Sequence, residues 1–193
     1  MAFDGLLFLR SRTLPLHNKL EQLGVFARIT HPQVNILDYQ KLLCIMQQFY
    51  CSAKLELPLF KINQKYKNLY RNRLAALNAD LKTLNCAPPS TQQNYFQSKL
   101  LFKSDYYLLG ILYATEGSTL GGQIIERHCK KVLGAQIEGA HNYLSHLTTL
   151  SQGHWREILQ LLQRNLLDQN TAEQAISGAN SAFSLLEILA TKK

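Results

Sequence analysis

His17 and Glu21 stand one helical turn apart in "TLPLHNKLE" (13–21). A metal-bound imidazole usually gives its second N–H to a carboxylate, a carbonyl or water, and that contact fixes the ring's orientation. Glu21 suits the role, directly or through water. Leu14, Leu20 and the aliphatic residues of 3–9 supply an apolar face. Arg10 lies about two turns before His17, where a cation could meet a carboxylate on a ligand's edge. Periodicity alone does not separate a ligand from an ordinary surface or core histidine.

The stretch "LLGILYATEGSTLGGQIIERH" (108–128) poses the second question. Its ends are helical in pattern, yet it holds Gly117, Gly121 and Gly122. Each interior glycine costs a helix about 0.5–1 kcal/mol relative to Ala. Gly110, Ala114, Gly117 and Gly121 form one small-residue stripe. Two explanations compete. Small residues let two helices pack closely, which leaves Gly122 and the Ser118-Thr119 pair without a role. Alternatively, a kinked helix lays bare backbone over a flat, mostly apolar ligand such as a porphyrin.

The remaining histidines are less informative. His31, His128 and His154 read as ordinary surface or core residues. Glu138-Gly-Ala-His141 is half of a di-iron helix motif, but the second Glu-x-x-His is missing.

Helices must position these groups. Apolar spacing predicts helices over 33–53, 60–84, 92–133, 153–166 and 170–190, with breaks at Pro58 and at "NCAPPS" (85–90). In the first segment, Pro15 fits early in a helix capped by Thr13, or inside a longer kinked one. No strand-like alternation or internal repeat is present. The chain of 193 residues is 46% hydrophobic, which fits one all-α domain of seven or eight helices over 1–193.

Charge and cysteines bound the function. Cys44, Cys51, Cys86 and Cys129 form no CxxC pair and read as reduced thiols of a cytoplasmic protein. "MAFDGLLFLR" is a poor signal peptide, and neither a membrane span nor an anchor is expected. A net charge of +8 favours acidic partners. The dense run "KINQKYKNLYRNR" (61–73) reads as a solvated helix face, with Tyr66 and Tyr70 packing at i,i+4. No nucleic-acid-binding module is recognisable.

"TLPLHNKLE", followed about 100 residues later by "LYATEGSTLGGQII" (112–125), resembles the heme oxygenase family. The likeness is nearest to the soluble bacterial branch that supplies biliverdin, including enzymes that accompany phytochromes. It takes in "GHWREIL" and "ANSAFSLLEIL" as well. It implies an all-α fold holding heme between a proximal and a distal helix. By position, His17 matches the proximal iron ligand and Glu21 its acidic neighbour. Gly117, Ser118 and Gly121 match the distal catalytic segment, and Gly122 follows. Arg10 and Tyr113 match positions that meet heme propionates, and Phe183 an aromatic wall. Ser118 stands where animal enzymes carry Asp, so proton delivery through ordered water must be arranged differently. The segment 142–155 also lacks a Gly-Tyr run common among relatives.

The implied reaction is O2- and reductant-dependent opening of heme to biliverdin, CO and Fe2+, with heme as substrate and cofactor. An acidic donor such as ferredoxin or flavodoxin would supply electrons. A non-catalytic heme-handling protein of the same fold is the alternative.

Overall fold

The structure is a computed structural model that describes residues 3–56, 69, 73–87, 104–149 and 152–191. Among these, eight α-helices follow in order: α1 (Gly5–Glu21), α2 (Gly24–Arg28), α3 (Ile36–Glu56), α4 (Leu74–Thr83), α5 (Asp105–Leu133), α6 (Asn142–Thr149), α7 (Gln152–Asn165) and α8 (Gln169–Thr191). A 3-10 turn, Gly134–Ile137, links α5 to α6. No strand occurs among the described residues. The expected all-α class holds.

Helix α1 begins at Asp4, whose carboxylate accepts the Leu7 N–H at 2.9 Å. Pro15 sits inside it, so the longer-helix alternative is the one realised. Thr13 does not cap: its hydroxyl donates back to the Leu9 carbonyl at 2.9 Å. Leu6, Leu9 and Thr13 are buried at helical spacing, which leaves Arg10, Leu14, His17 and Glu21 on the open side.

Helix α8 is the floor of the molecule. Its buried face is mostly small: Ala172, Ala175, Gly178, Ala179 and Ala182 lead to Phe183 and Leu186. Small side chains let α5 approach at backbone distance. A Cβ on Gly110 would stand 1.8 Å from the Ala175 carbonyl oxygen. One on Gly178 would stand 1.8 Å from the Tyr107 carbonyl oxygen. The upper end of the glycine stripe is therefore helix packing. Helix α1 also lies along α8, yet α1 and α5 scarcely touch each other. The two helices share α8 as a floor, and α7 packs against both.

A carboxylate from α4 holds α6. Buried Asp80 accepts from the Asn142 and Tyr143 backbone N–H groups at 2.9 and 2.8 Å, and from Asn142 Nδ2 at 2.7 Å. It satisfies donors that the first turn of a helix leaves unpaired. Sequence periodicity had no helix at 142–149. Helix α5 starts at Ser104, whose Oγ accepts the Tyr107 N–H. The rest of the expected 92–133 helix, residues 92–103, lies outside the described residues, as do Pro58, Tyr66 and Tyr70.

Candidate heme site

The open face of α1 presents His17 and Glu21 side by side. His17 Nδ1 lies 3.7 Å from Glu21 Oε1, and the two side chains are 50% and 67% exposed. That separation suits orientation of the ring through water better than a direct hydrogen bond. Phe183 of α8 meets the imidazole edge-on, with ring centroids 5.9 Å apart and planes at 84°. Lys19 and Glu187 pair beside it at 2.6 Å, joining α1 to α8. Exposed Leu14 and Arg10 complete the stripe.

Helix α5, which also packs on α8, carries no side chain at Gly117 and Gly121. Gly121 is exposed, and a Cβ built there would meet nothing within 4 Å. Gly117 looks toward Trp155 of α7, whose Cη2 would lie 3.4 Å from such a Cβ. Tyr113, one turn earlier, packs on the same indole at 5.7 Å between centroids. Ser118 Oγ donates to the Thr115 carbonyl at 2.7 Å, so its hydroxyl is spoken for by its own helix. Gly122 points elsewhere: its Cβ would collide with Leu147 of α6 at 2.7 Å. Gly122 therefore serves helix packing, the role the sequence reading withheld from it.

Behind the glycines lies a cluster that the sequence reading did not find. Glu116, next to Gly117, is fully buried and held by Arg73 through two hydrogen bonds, at 3.0 Å (Nη1 to Oε1) and 2.6 Å (Nη2 to Oε2). Arg73 Nη1 also donates to the Tyr50 hydroxyl at 3.1 Å. His154 Nε2 lies 3.1 Å from Glu116 Oε2. A carboxylate paired with a guanidinium can only accept, so Nε2 carries the proton. His154 Nδ1 has no partner among the described residues.

Burial draws the Arg73 pKa down, but nearby Tyr50 and Glu116 outweigh it and hold the guanidinium charged. Burial pushes the hydroxyls of Tyr50 and Tyr143 up. Arg73 thus corrects the solvated-face reading of 61–73: its charge enters the core because Glu116 neutralises it. Residues 106–125 carry one charged side chain, Glu116, and that solitude was the available signal.

A porphyrin would need an imidazole for its iron and a surface bare of side chains for its face, and the residues fit both needs. His17 is half exposed and Gly121 leaves its side-chain space empty. Among the described residues no group of three or more His, Cys, Asp or Glu side chains gathers to hold a bare metal ion. Glu138 and His141 therefore stay a half-motif.

Comparison with known proteins agrees. A family model described as heme oxygenase matches residues 6–190. The chain belongs to the heme oxygenase family. A heme oxygenase from Xanthomonas campestris pv. campestris (strain 8004) is 28% identical over 120 residues, 60% of this chain and 65% of the relative's length. The NO- and CO-bound heme oxygenase of Neisseria meningitidis superposes with a TM-score of 0.66 at 24% identity, covering 98% of this chain and 91% of that one. Heme oxygenase-1 of the cyanobacterium Synechocystis sp. PCC6803, in complex with heme, gives 0.67 at 19% identity, covering 97% and 90%. The two structures share this fold.

Proposed function

We propose that this heme oxygenase family member opens heme to biliverdin, CO and Fe2+, using O2 and electrons from an acidic donor such as ferredoxin or flavodoxin. The observation that carries the reading is the pairing of an open imidazole on α1 with an open glycine backbone on α5, both footed on α8. When bound, heme supplies the iron that takes O2 and the ring that is oxidised. The chain supplies position and protons.

His17 binds on one side as a neutral imidazole, turned by Glu21 and kept from rotating by Phe183. Gly117 and Gly121 form the opposite wall. They leave room for water and offer no large side chain to drive O–O cleavage. Ser118 completes that wall, and ordered water bonded to its oxygen or to neighbouring carbonyls moves protons. Arg10 and Tyr113 meet the carboxylates at the ligand's edge. Gly122 contributes by seating α5 on α6. The whole of 1–193 works as one domain in the cytoplasm. No helix of the described residues is long and apolar enough to cross a membrane. The motif "EGSTLGGQII" supports the biliverdin-supplying bacterial branch.

The test is hemin titration followed by ascorbate under air. We expect stoichiometric uptake and loss of the Soret band with a biliverdin spectrum, and His17→Ala should lose the axial nitrogen signal. A Soret band that persists under reductant would instead make this a heme-handling protein. An unchanged axial signal in His17→Ala would remove His17 from the site.

A further inference from the structure

Two cysteines far apart in sequence meet on the side of α3. Cys44 Sγ and Cys86 Sγ are 3.6 Å apart, though 42 residues separate them. The contact is built by the chain after α4. Asn85 takes a left-handed conformation (φ 51°) that few side chains tolerate. That turn sends Cys86 back, and its N–H donates to the Leu81 carbonyl at 2.9 Å. One turn before Cys44, Gln40 Nε2 donates to the Leu84 carbonyl at 3.3 Å and ties the hook to α3. A disulfide needs about 2.05 Å between sulfurs, so closure asks for a movement of about 1.5 Å. Both thiols are half-buried.

We propose that Cys44 and Cys86 are a reversible disulfide pair, closed by hydrogen peroxide and opened by a dithiol. The Cys86 thiolate attacks one peroxide oxygen; the O–O bond breaks and hydroxide leaves as water after taking a proton. Cys86 is then a sulfenic acid. Cys44 sulfur attacks Cys86 sulfur; the S–O bond breaks, and the departing hydroxide takes the proton Cys44 gives up. Two thiols are oxidised by two electrons in all, and one peroxide becomes two waters. Burial, and then the neighbouring Cys86, push the Cys44 thiol up to about 12. Oxidation of Cys86 removes the second of those effects.

The bridge would have a reach beyond its own surroundings. Arg73, which holds Glu116 behind the glycine wall, and Tyr50, which accepts from Arg73, both lie inside the covalent loop it closes. No bound heme is required for the reaction.

The experiment uses the full chain, reduced with dithiothreitol, freed of it and exposed to one equivalent of hydrogen peroxide. Alkylation and peptide mapping follow. We expect two of the four thiols to become unreactive and a peptide joining Cys44 to Cys86, two hydrogens lighter than its reduced parts. Dithiothreitol should restore all four. Cys44→Ser should leave a sulfenic acid at Cys86 that dimedone traps, and Cys86→Ser should leave Cys44 fully alkylatable. A bridge to Cys51 or Cys129, a bridge only between molecules, or Cys86 overoxidised beside a free Cys44 would each overturn the proposal.

Discussion

Gly121 is the residue where stability and function separate most cleanly. Nothing stands where its Cβ would be, so Gly121→Ala should gain about 0.5–1 kcal/mol of helix stability in the ligand-free protein. The same methyl enters the gap beside the proposed ligand. A higher apoprotein melting temperature with weaker hemin uptake is therefore expected, and unchanged uptake would place the ligand elsewhere. Glu116→Gln should act oppositely. It leaves Arg73 charged and buried, at a cost of about 3–5 kcal/mol, measurable by urea unfolding. The buried tyrosines give a sign in alkali. Because burial raises the pKa values of Tyr50 and Tyr143, their stabilising effect is complete below the ordinary tyrosine value and fades as pH climbs toward the raised ones. Their tyrosinate absorbance should rise only with unfolding, in step with loss of helical circular dichroism. At this scale the sequence was half legible. Spacing put His17 beside Glu21 and Gly117 on a small-residue stripe, but could not tell a ligand from an ordinary histidine. Arg73 was hidden at the end of a basic run, because a buried cation looks like a solvated one until its distant partner is known.

Helices carry their own tests. Gly110 and Gly178 place α5 and α8 in backbone contact, so Gly110→Ala or Gly178→Ala would push a methyl into a carbonyl. Either change should lower the melting temperature far more than Gly121→Ala raises it. The contrast distinguishes the two ends of one stripe. Asp80→Ala strips three donors at the start of α6. A loss upward of about 2 kcal/mol is expected, read by urea unfolding, and Asp80→Asn should retain part of it. Amphipathic α7 and the span of α8 could be read directly from periodicity; the small-residue face of α8 shows only in its packing. Helix α6 could not, because eight residues carry little pattern and its start depends on a carboxylate some sixty residues earlier. The stripe at 110–121 was ambiguous for a related reason. Packing and ligand approach ask for the same small residues, and only neighbours brought by the fold distinguish them.

For the whole molecule, the net charge of +8 matters most at encounter. Exchanging exposed lysines for acids should slow turnover with an acidic protein donor, more so at low ionic strength, and leave ascorbate-driven turnover unchanged. Equal loss with both reductants would dismiss steering. The all-α class was legible because long apolar periods survive without tertiary knowledge; the shared floor under α1 and α5 was not, since no local pattern encodes which helices pack together. Both α1 and α5 rest on α8, which follows them in the chain. While a ribosome still holds residues 169–191, the imidazole side and the glycine side have nothing to stand on together. A nascent chain would then be blind to heme until α8 has left the ribosome and folded.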